Sequence, residues 1–506
     1  MNVNPITRLD YPDPDVIRVE DTYYMVSTTM HFMPGCEILQ SFDLVHWEHV
    51  SYVYETLDHT DAQQLKSGQN IYGQGMWAAS LRYHEGRFYI CFVANDTRKT
   101  YLYTSEKIDG PWKKQLIEGF YHDGSLLFDE DGRNYIVYGN DEIWITELNE
   151  DLTAPKKDGL HRLLVSDHKN PELGYEGSHI QKINGYYYIF LIHSLRDRWM
   201  RTEACFYSDS LEGEFTGGDV LCDDRGYCGQ GVAQGGIVDT PDGKWYAMLF
   251  QDSGAVGRIP ILLPVTWKDH FPFFGQNGHV PEEIEVHSTR PGYIYQPLVG
   301  SDDFCNGLLP RWQFNHDPDP RYYHLDALQG TYTITTREVC TELTQAVNTL
   351  TQRMSYPSCA AEVTVDASAL KEGDVAGLCA LQGCYAAVGI TKHHGKYEVL
   401  MLDKKEDGIL DMTEGTVVES HQMDFRLEAD FCNMKDEARC YYRVNKGDWL
   451  PIGTVHKLYF KLDHFTGCRF GLFCYAAEET GGSACFRDFK YYDVCLLYTS
   501  PSPRDS

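Results

Sequence analysis

No run of about 18 consecutive apolar residues occurs in the sequence, so it offers no candidate membrane-spanning helix. Its start, MNVNPITRLDYPDPDVIRV, lacks the basic stretch and apolar core of a secretory signal. The 16 cysteines form no Cys-x-x-Cys pairs and keep no regular spacing. Cys91 in FYICFVA and Cys474 in FGLFCYA lie in apolar, strand-like runs, as buried free thiols do. A reducing, cytoplasmic location is therefore expected. No His/Cys cluster is spaced for zinc and no Gly-rich phosphate loop is present. Positive charge is scarce: 44 Lys and Arg stand against 74 Asp and Glu, a net charge of −30. A surface that acidic repels phosphate backbones and anionic lipid, which argues against nucleic-acid and membrane partners and leaves neutral ligands open. Long helical periodicity is also missing. Oligomeric state leaves no trace in the sequence.

What is present is a repeat. Five segments, EDTYYMVSTT, EGRFYICFVA, DGRNYIVYGN, NGYYYIFLIH and DGKWYAMLFQ, each join a turn to an aromatic, apolar strand. They align on Tyr24, Tyr89, Tyr135, Tyr188 and Tyr246. Another strand-like segment precedes each one, beginning 11, 11, 12, 12 and 12 positions before the aligned tyrosine. After three of the hairpins comes a third element, SFDLVHW, SEKIDGPW or SDSLEGEF. Units of three or four antiparallel strands recurring five times predict a five-bladed β-propeller over residues 1–295. From about residue 300 to 494 the blade pattern stops. Short strands of alternating polarity, such as TYTITTRE and AAEVTVDAS, predict a jelly-roll-like β-sandwich. The fold class is thus all-β throughout. The ending CLLYTSPSPRDS matches nothing before it; residues 495–506 read as translated sequencing adaptor and are set aside.

A propeller gathers the first residues of its innermost strands around one channel mouth. On the tyrosine alignment those residues are Asp13, Ala78, Asp123, Glu176 and Gln234. Taken singly, Asp13 and Asp123 suit turns. Three acids at one phase instead point to a site. Carboxyls crowded into a concave pocket raise at least one pKa, and chemistry that needs one protonated and one ionised carboxyl uses that arrangement. Glycoside hydrolysis is such chemistry. Asp15 rivals Asp13, because residues i and i+2 of a strand share a face.

At these residues the chain resembles glycoside hydrolase family 43, the β-xylosidases and α-L-arabinofuranosidases. YPDPDVIRVEDTYYMVSTT is similar to the family's first blade. HDGSLLFDEDGRNYIVYG and YEGSHIQKINGYYYIF resemble the blades that carry the second and third acids. WQFNHDPDPRYY resembles the opening of the sandwich domain in one branch of the family. The resemblance implies an inverting mechanism, with Asp13 as general base, Glu176 as general acid and Asp123 tuning and orienting that acid. It favours Asp13 over Asp15. It also implies that Arg258, in GAVGRIP, reaches the pocket. Trp77 suits a wall beside a sugar face and suits the blade core nearly as well. Met30, His31 and Phe32 fall on a first-blade loop that could border the subsite, and His179 reads as structural. Many relatives hold a calcium ion through an axial histidine, whose matching position here is Gln234. An amide oxygen can still bind a hard cation, so a channel Ca2+ stays open, although no cofactor is required.

The function expected is an exo-acting removal of terminal xylosyl or arabinofuranosyl residues from small oligosaccharides derived from xylan or arabinan. Two rivals stand beside it. A retaining, fructosidase-like propeller also uses blade acids, but its Asn-Asp-Pro-Asn-Gly and Arg-Asp-Pro motifs are missing. A non-catalytic carbohydrate-binding propeller would not need three acids.

Overall fold

The computed structural model describes residues 2–461 and 464–493. The adaptor-like ending lies outside the described residues. Five four-stranded antiparallel sheets follow one another along the chain, each running outward from its innermost strand in sequence order. The innermost strands are Asp15–Val19, Met76–His84, Ser125–Phe128, Glu176–Ile183 and Val232–Asp239, in blades 1 to 5. No described helix is long and apolar enough to cross a membrane.

The repeated aromatics fill the wedges between blades. Tyr24 meets Phe88 of blade 2 edge-on at 5.8 Å between ring centroids, and Tyr89 meets Phe128 of blade 3 at 4.6 Å. The ring closes through Asn4. Its side-chain amide donates to Leu262 O at 2.7 Å and its carbonyl accepts from Leu262 N at 3.1 Å, which ties the N-terminus to blade 5.

Charged side chains stitch the axis itself. Asp15, fully buried in blade 1, accepts from Arg82 Nη1 at 2.8 Å and from the Leu81 N–H at 2.7 Å, both of blade 2. Its other oxygen lies 3.1 Å from His179 Nδ1 of blade 4. Arg82 also donates to Ser125 Oγ and Leu126 O of blade 3 and to Ile180 O of blade 4. Gln181 Nε2 of blade 4 reaches Ile237 O of blade 5, and Arg18 of blade 1 pairs with Asp239 of blade 5. Burial alone would raise the Asp15 pKa, but the charges of Arg82 and His179 hold it below the usual carboxylate range. His179 is structural, as expected.

Sheets of nine and seven strands form a sandwich over residues 313–493. Its larger sheet takes in Phe32–Met33 from blade 1, which pair with Gln313–Asn315. The two domains therefore share a continuous sheet. Arg353 of the sandwich donates to Glu37 Oε2 at 2.7 Å and to Asp10 O at 2.8 Å in the propeller, both bonds buried. Cysteines of the described residues are free thiols, with Cys91 and Cys474 buried.

Removing one partner of a buried pair strands the other charge, at a cost of about 3–5 kcal/mol. Arg82→Met should lower the unfolding free energy by about that amount in urea denaturation. A change well under 1 kcal/mol would show that the axial network does not hold the ring.

Candidate active site

The strand register shows how the mouth is built. The aligned tyrosines pair with Ile17, Arg82, Leu127, Gln181 and Val238. Four residues before these partners lie Asp13, Ala78, Asp123, Gly177 and Gln234. All five have positive φ, at 52°, 33°, 48°, 65° and 60°. This left-handed kink turns the chain at the mouth of the channel. Asp tolerates that backbone better than most residues, and glycine tolerates it best. In blade 4 a glycine is needed for a second reason: a Cβ on Gly177 would lie 2.7 Å from Gln234 Cδ.

Asp13 and Asp123 therefore share a phase, but Glu176 does not. It sits one residue earlier, beside the kink, at the position of Trp77 and His122. Blade 4 has a two-residue turn, Asn184 and Gly185, whereas blades 3 and 5 use five-residue connections. The shared position lies 11 residues before the tyrosine where the turn is short and 12 where it is long. Counting 12 in blade 4 picks the neighbour of the aligned residue. A strand bulge between Glu176 and His179 still delivers the Glu176 side chain to the cavity.

That cavity, of about 180 Å³, brings together Asp13, Asp123, Glu176, Trp77, Gln234 and Arg258. Met30 and Phe32 do not line it. Both are buried in the seam between the domains, where the Arg469 guanidinium lies 3.4 Å over the Phe32 ring and Phe32 pairs with Asn315. Their first-blade loop is claimed by the sandwich sheet, which corrects their expected place at the subsite.

Sequence reasoning did not single out several of the cavity's groups. His122 stands next to Asp123 in the HDGS run. Leu173 comes from the connection between blades 3 and 4, Trp199 and Arg201 from blade 4, and Phe465 from the sandwich. Phe465 meets Trp77 edge-on at 5.1 Å and lies 3.8 Å beneath the Arg258 guanidinium. Its loop is fastened to the propeller by Gly467 N donating to Asp10 Oδ2 at 2.7 Å and Cys468 N donating to Ala255 O at 2.8 Å. The other Asp10 oxygen accepts from the Arg258 N–H at 2.8 Å. One buried carboxylate thus fixes both the arginine and the aromatic cap.

The three acids have different partners. Asp13 accepts from Arg258 Nη1 at 2.7 Å and from Thr28 Oγ1. Thr28 Oγ1 also receives the Ala78 N–H at 2.8 Å, so its hydroxyl proton is directed at Asp13. Asp123 accepts from the Gly177 N–H at 3.0 Å. Burial pushes Asp123 up to about 6, with the charges of Glu176 and Asp13 adding to burial and His122 opposing it. Glu176 accepts from Asn140 Nδ2 at 2.6 Å and lies 3.5 Å from His122 Nε2, both through Oε2. Burial works against its charge, but the hydrogen bond and charge of His122 hold it below the usual range. His122 is raised to about 9, first by Asp123 and then, against burial, by Glu176.

Arg201 is buried, and its Nη1 lies 2.9 Å from Asp252 Oδ2. Its Nε and Nη1 have no well-aligned acceptor among the described residues. Burial brings its pKa down to about 10. Asp252 also pairs with Arg258 Nε at 3.2 Å. The cavity therefore offers an aspartate fixed by arginine, a carboxyl beside a proton-rich imidazole, and a guanidinium with donors to spare. Such a set can activate water on one side of a sugar and protonate a leaving oxygen on the other.

Comparison with known proteins agrees with this geometry. Residues 3–272 match the family described as Glycosyl hydrolases family 43, and residues 301–492 match the β-xylosidase C-terminal concanavalin A-like domain. A bifunctional GH43-CE structure from Bacteroides eggerthii is 42% identical, with a TM-score of 0.90 over 97% of this chain. This chain spans 63% of that protein's length. A β-xylosidase from Formosa agariphila is 27% identical over 97% of this chain and 90% of its own. A non-reducing end α-L-arabinofuranosidase from Bacteroides ovatus is 25% identical over 65% of this chain and 63% of its own. With the propeller match alone spanning more than half of its residues, the chain belongs to glycosyl hydrolase family 43.

Proposed function

We propose that the protein is an inverting exo-glycosidase that removes non-reducing terminal β-D-xylosyl or α-L-arabinofuranosyl residues from oligosaccharides derived from xylan or arabinan. The observation that carries this reading is the single small cavity at the channel mouth, into which Asp13, Asp123 and Glu176 all project. Its volume of about 180 Å³ is below the ~300–1,000 Å³ typical of drug-sized ligands and suits one sugar ring. Phe465, Trp199 and Leu173 wall it in, which favours a chain end over a chain interior. The names of the similar proteins supply the two pentosides.

On this reading Asp13 takes a proton from the attacking water. Arg258 and Thr28 hold and orient its carboxyl by hydrogen bonds. Glu176 donates to the leaving oxygen from the side of its carboxyl turned away from Asn140 and His122. Asp123, held by the Gly177 N–H, disfavours a second negative charge on Glu176 and so favours its protonated form. Trp77 offers an apolar wall to the sugar face, Gln234 an amide, and Arg201 its unmatched donors to sugar hydroxyls.

The reading requires no metal. A channel Ca2+ fits poorly, because a cation, the Arg82 guanidinium, already pairs with the buried Asp15 where the inner strands meet. The Gln234 N–H is tied to Glu203 at 2.7 Å. Exhaustive chelation should leave pentoside hydrolysis unchanged. Loss of activity restored by Ca2+ would contradict this. The free buried thiols support a reducing compartment.

The test of roles uses leaving groups. Glu176→Ala should lose about 10²–10⁴ in rate on xylobiose and far less on an activated nitrophenyl pentoside, which needs little protonation. Asp13→Ala should fail on both. Equal losses on the activated substrate, or no turnover of either pentoside by the unmodified protein, would overturn the reading. Phe465→Ala removes binding present in ground and transition states alike, so KM should rise about tenfold with kcat little changed. An unchanged KM would show that the sandwich contributes nothing to the subsite.

A further inference from the structure

We propose that His122 holds the catalytic proton of this site in the resting enzyme and passes it to Glu176 when substrate fills the cavity. The inference rests on the acid role given to Glu176 above and adds where that proton is kept. His122, Asp123 and Glu176 each bring one polar atom within 4.8 Å of the other two. His122 Nε2 lies between the carboxylates, 3.5 Å from Glu176 Oε2 and 3.6 Å from Asp123 Oδ2. Its ring lines the cavity beside Trp77, with centroids 6.3 Å apart. Its place in the chain is fixed by its own carbonyl, which accepts from the Gly139 N–H at 3.0 Å.

An imidazole between two buried carboxylates takes the first available proton. The charged groups facing the cluster are Asp13, Arg201 and Arg258 across the cavity. Asp13 strengthens the hold on the His122 proton, while the two arginines stabilise ionised Glu176. All of these favour imidazolium with carboxylate in the empty site. A sugar that displaces water penalises that separated charge and favours the neutral pair, with His122 uncharged and Glu176 protonated. The total proton count is the same in both forms.

The protons balance over the cycle. His122 Nε2 gives its proton to the Glu176 carboxyl. Rotation about Cγ–Cδ presents it to the glycosidic oxygen, which takes it with the electron pair of the breaking C1–O bond. Water forms the new C1–O bond and yields its proton to Asp13. On product release Asp13 returns a proton to solvent and His122 takes one up.

The consequence is a basic limb of kcat/KM set by proton loss from the cluster as a whole. His122 is raised to about 9, so that limb lies well above the usual carboxyl range. His122→Gln keeps a hydrogen-bond donor but holds no exchangeable positive charge. On xylobiose its basic limb should move down by about one pH unit or more, and the loss of rate should be larger on xylobiose than on a nitrophenyl pentoside, which needs little protonation. An unmoved limb in a variant that retains nitrophenyl turnover would overturn the proposal. A second measurement needs no His122 variant. In ¹⁵N-histidine NMR of the unmodified protein, one ring should stay protonated to about pH 9, and its titration should fall in Glu176→Gln. All described rings neutral at pH 8 would overturn the proposal whether or not the protein hydrolyses pentosides.

Discussion

The Asp15–Arg82 pair is the constraint on which the site depends. The blades are separate sheets, so something must fix their inner strands at a common height. Arg82 does this by donating at once to blades 1, 3 and 4. Two residues before Asp15, the chain kinks and presents Asp13 to the mouth. The structural carboxylate and the chemical one share a strand end, and the first holds the second in place. Asp15 has both oxygens engaged by blades 2 and 4, which on the proposed reading leaves Asp13 as the one to take water.

The cavity gathers carboxylates without leaving them uncompensated. Arg258 serves Asp13 and Asp252 together, Arg201 lies against Asp252, and His122 lies between Asp123 and Glu176. Each acid has a different partner. Asp13 has a guanidinium, which cannot give up its proton, whereas Glu176 has an imidazole, which can. On the proposed reading, the division between base and acid is therefore set by the cations as much as by the acids.

Much of this was legible in the sequence, for definable reasons. The repeat revealed five blades because each wedge between sheets needs an aromatic at the same register. Asp13 and Asp123 followed from that register. Glu176 was picked out by the repeat spacing and given its role by resemblance, but that spacing depends on the length of a turn: the Asn184-Gly185 turn shifts the count by one, so Glu176 is the neighbour of the aligned residue. Met30 and Phe32 were misplaced because a first-blade loop looks free until another domain adds strands to it. Phe465 carried no local signal at all, since its role exists only once Asp10 and Ala255 fasten its loop over the propeller mouth. His122 was visible beside Asp123, but only the fold turns its ring toward Glu176.

The central claim is that one carboxylate on the propeller axis activates water on the face of the sugar opposite the leaving group. The most direct test is the anomeric configuration of the first sugar released, followed by ¹H NMR before mutarotation. Inversion, such as α-xylose from a β-xyloside, is the expected result. Retention would require Asp13 or a neighbour to attack carbon directly and would contradict the account.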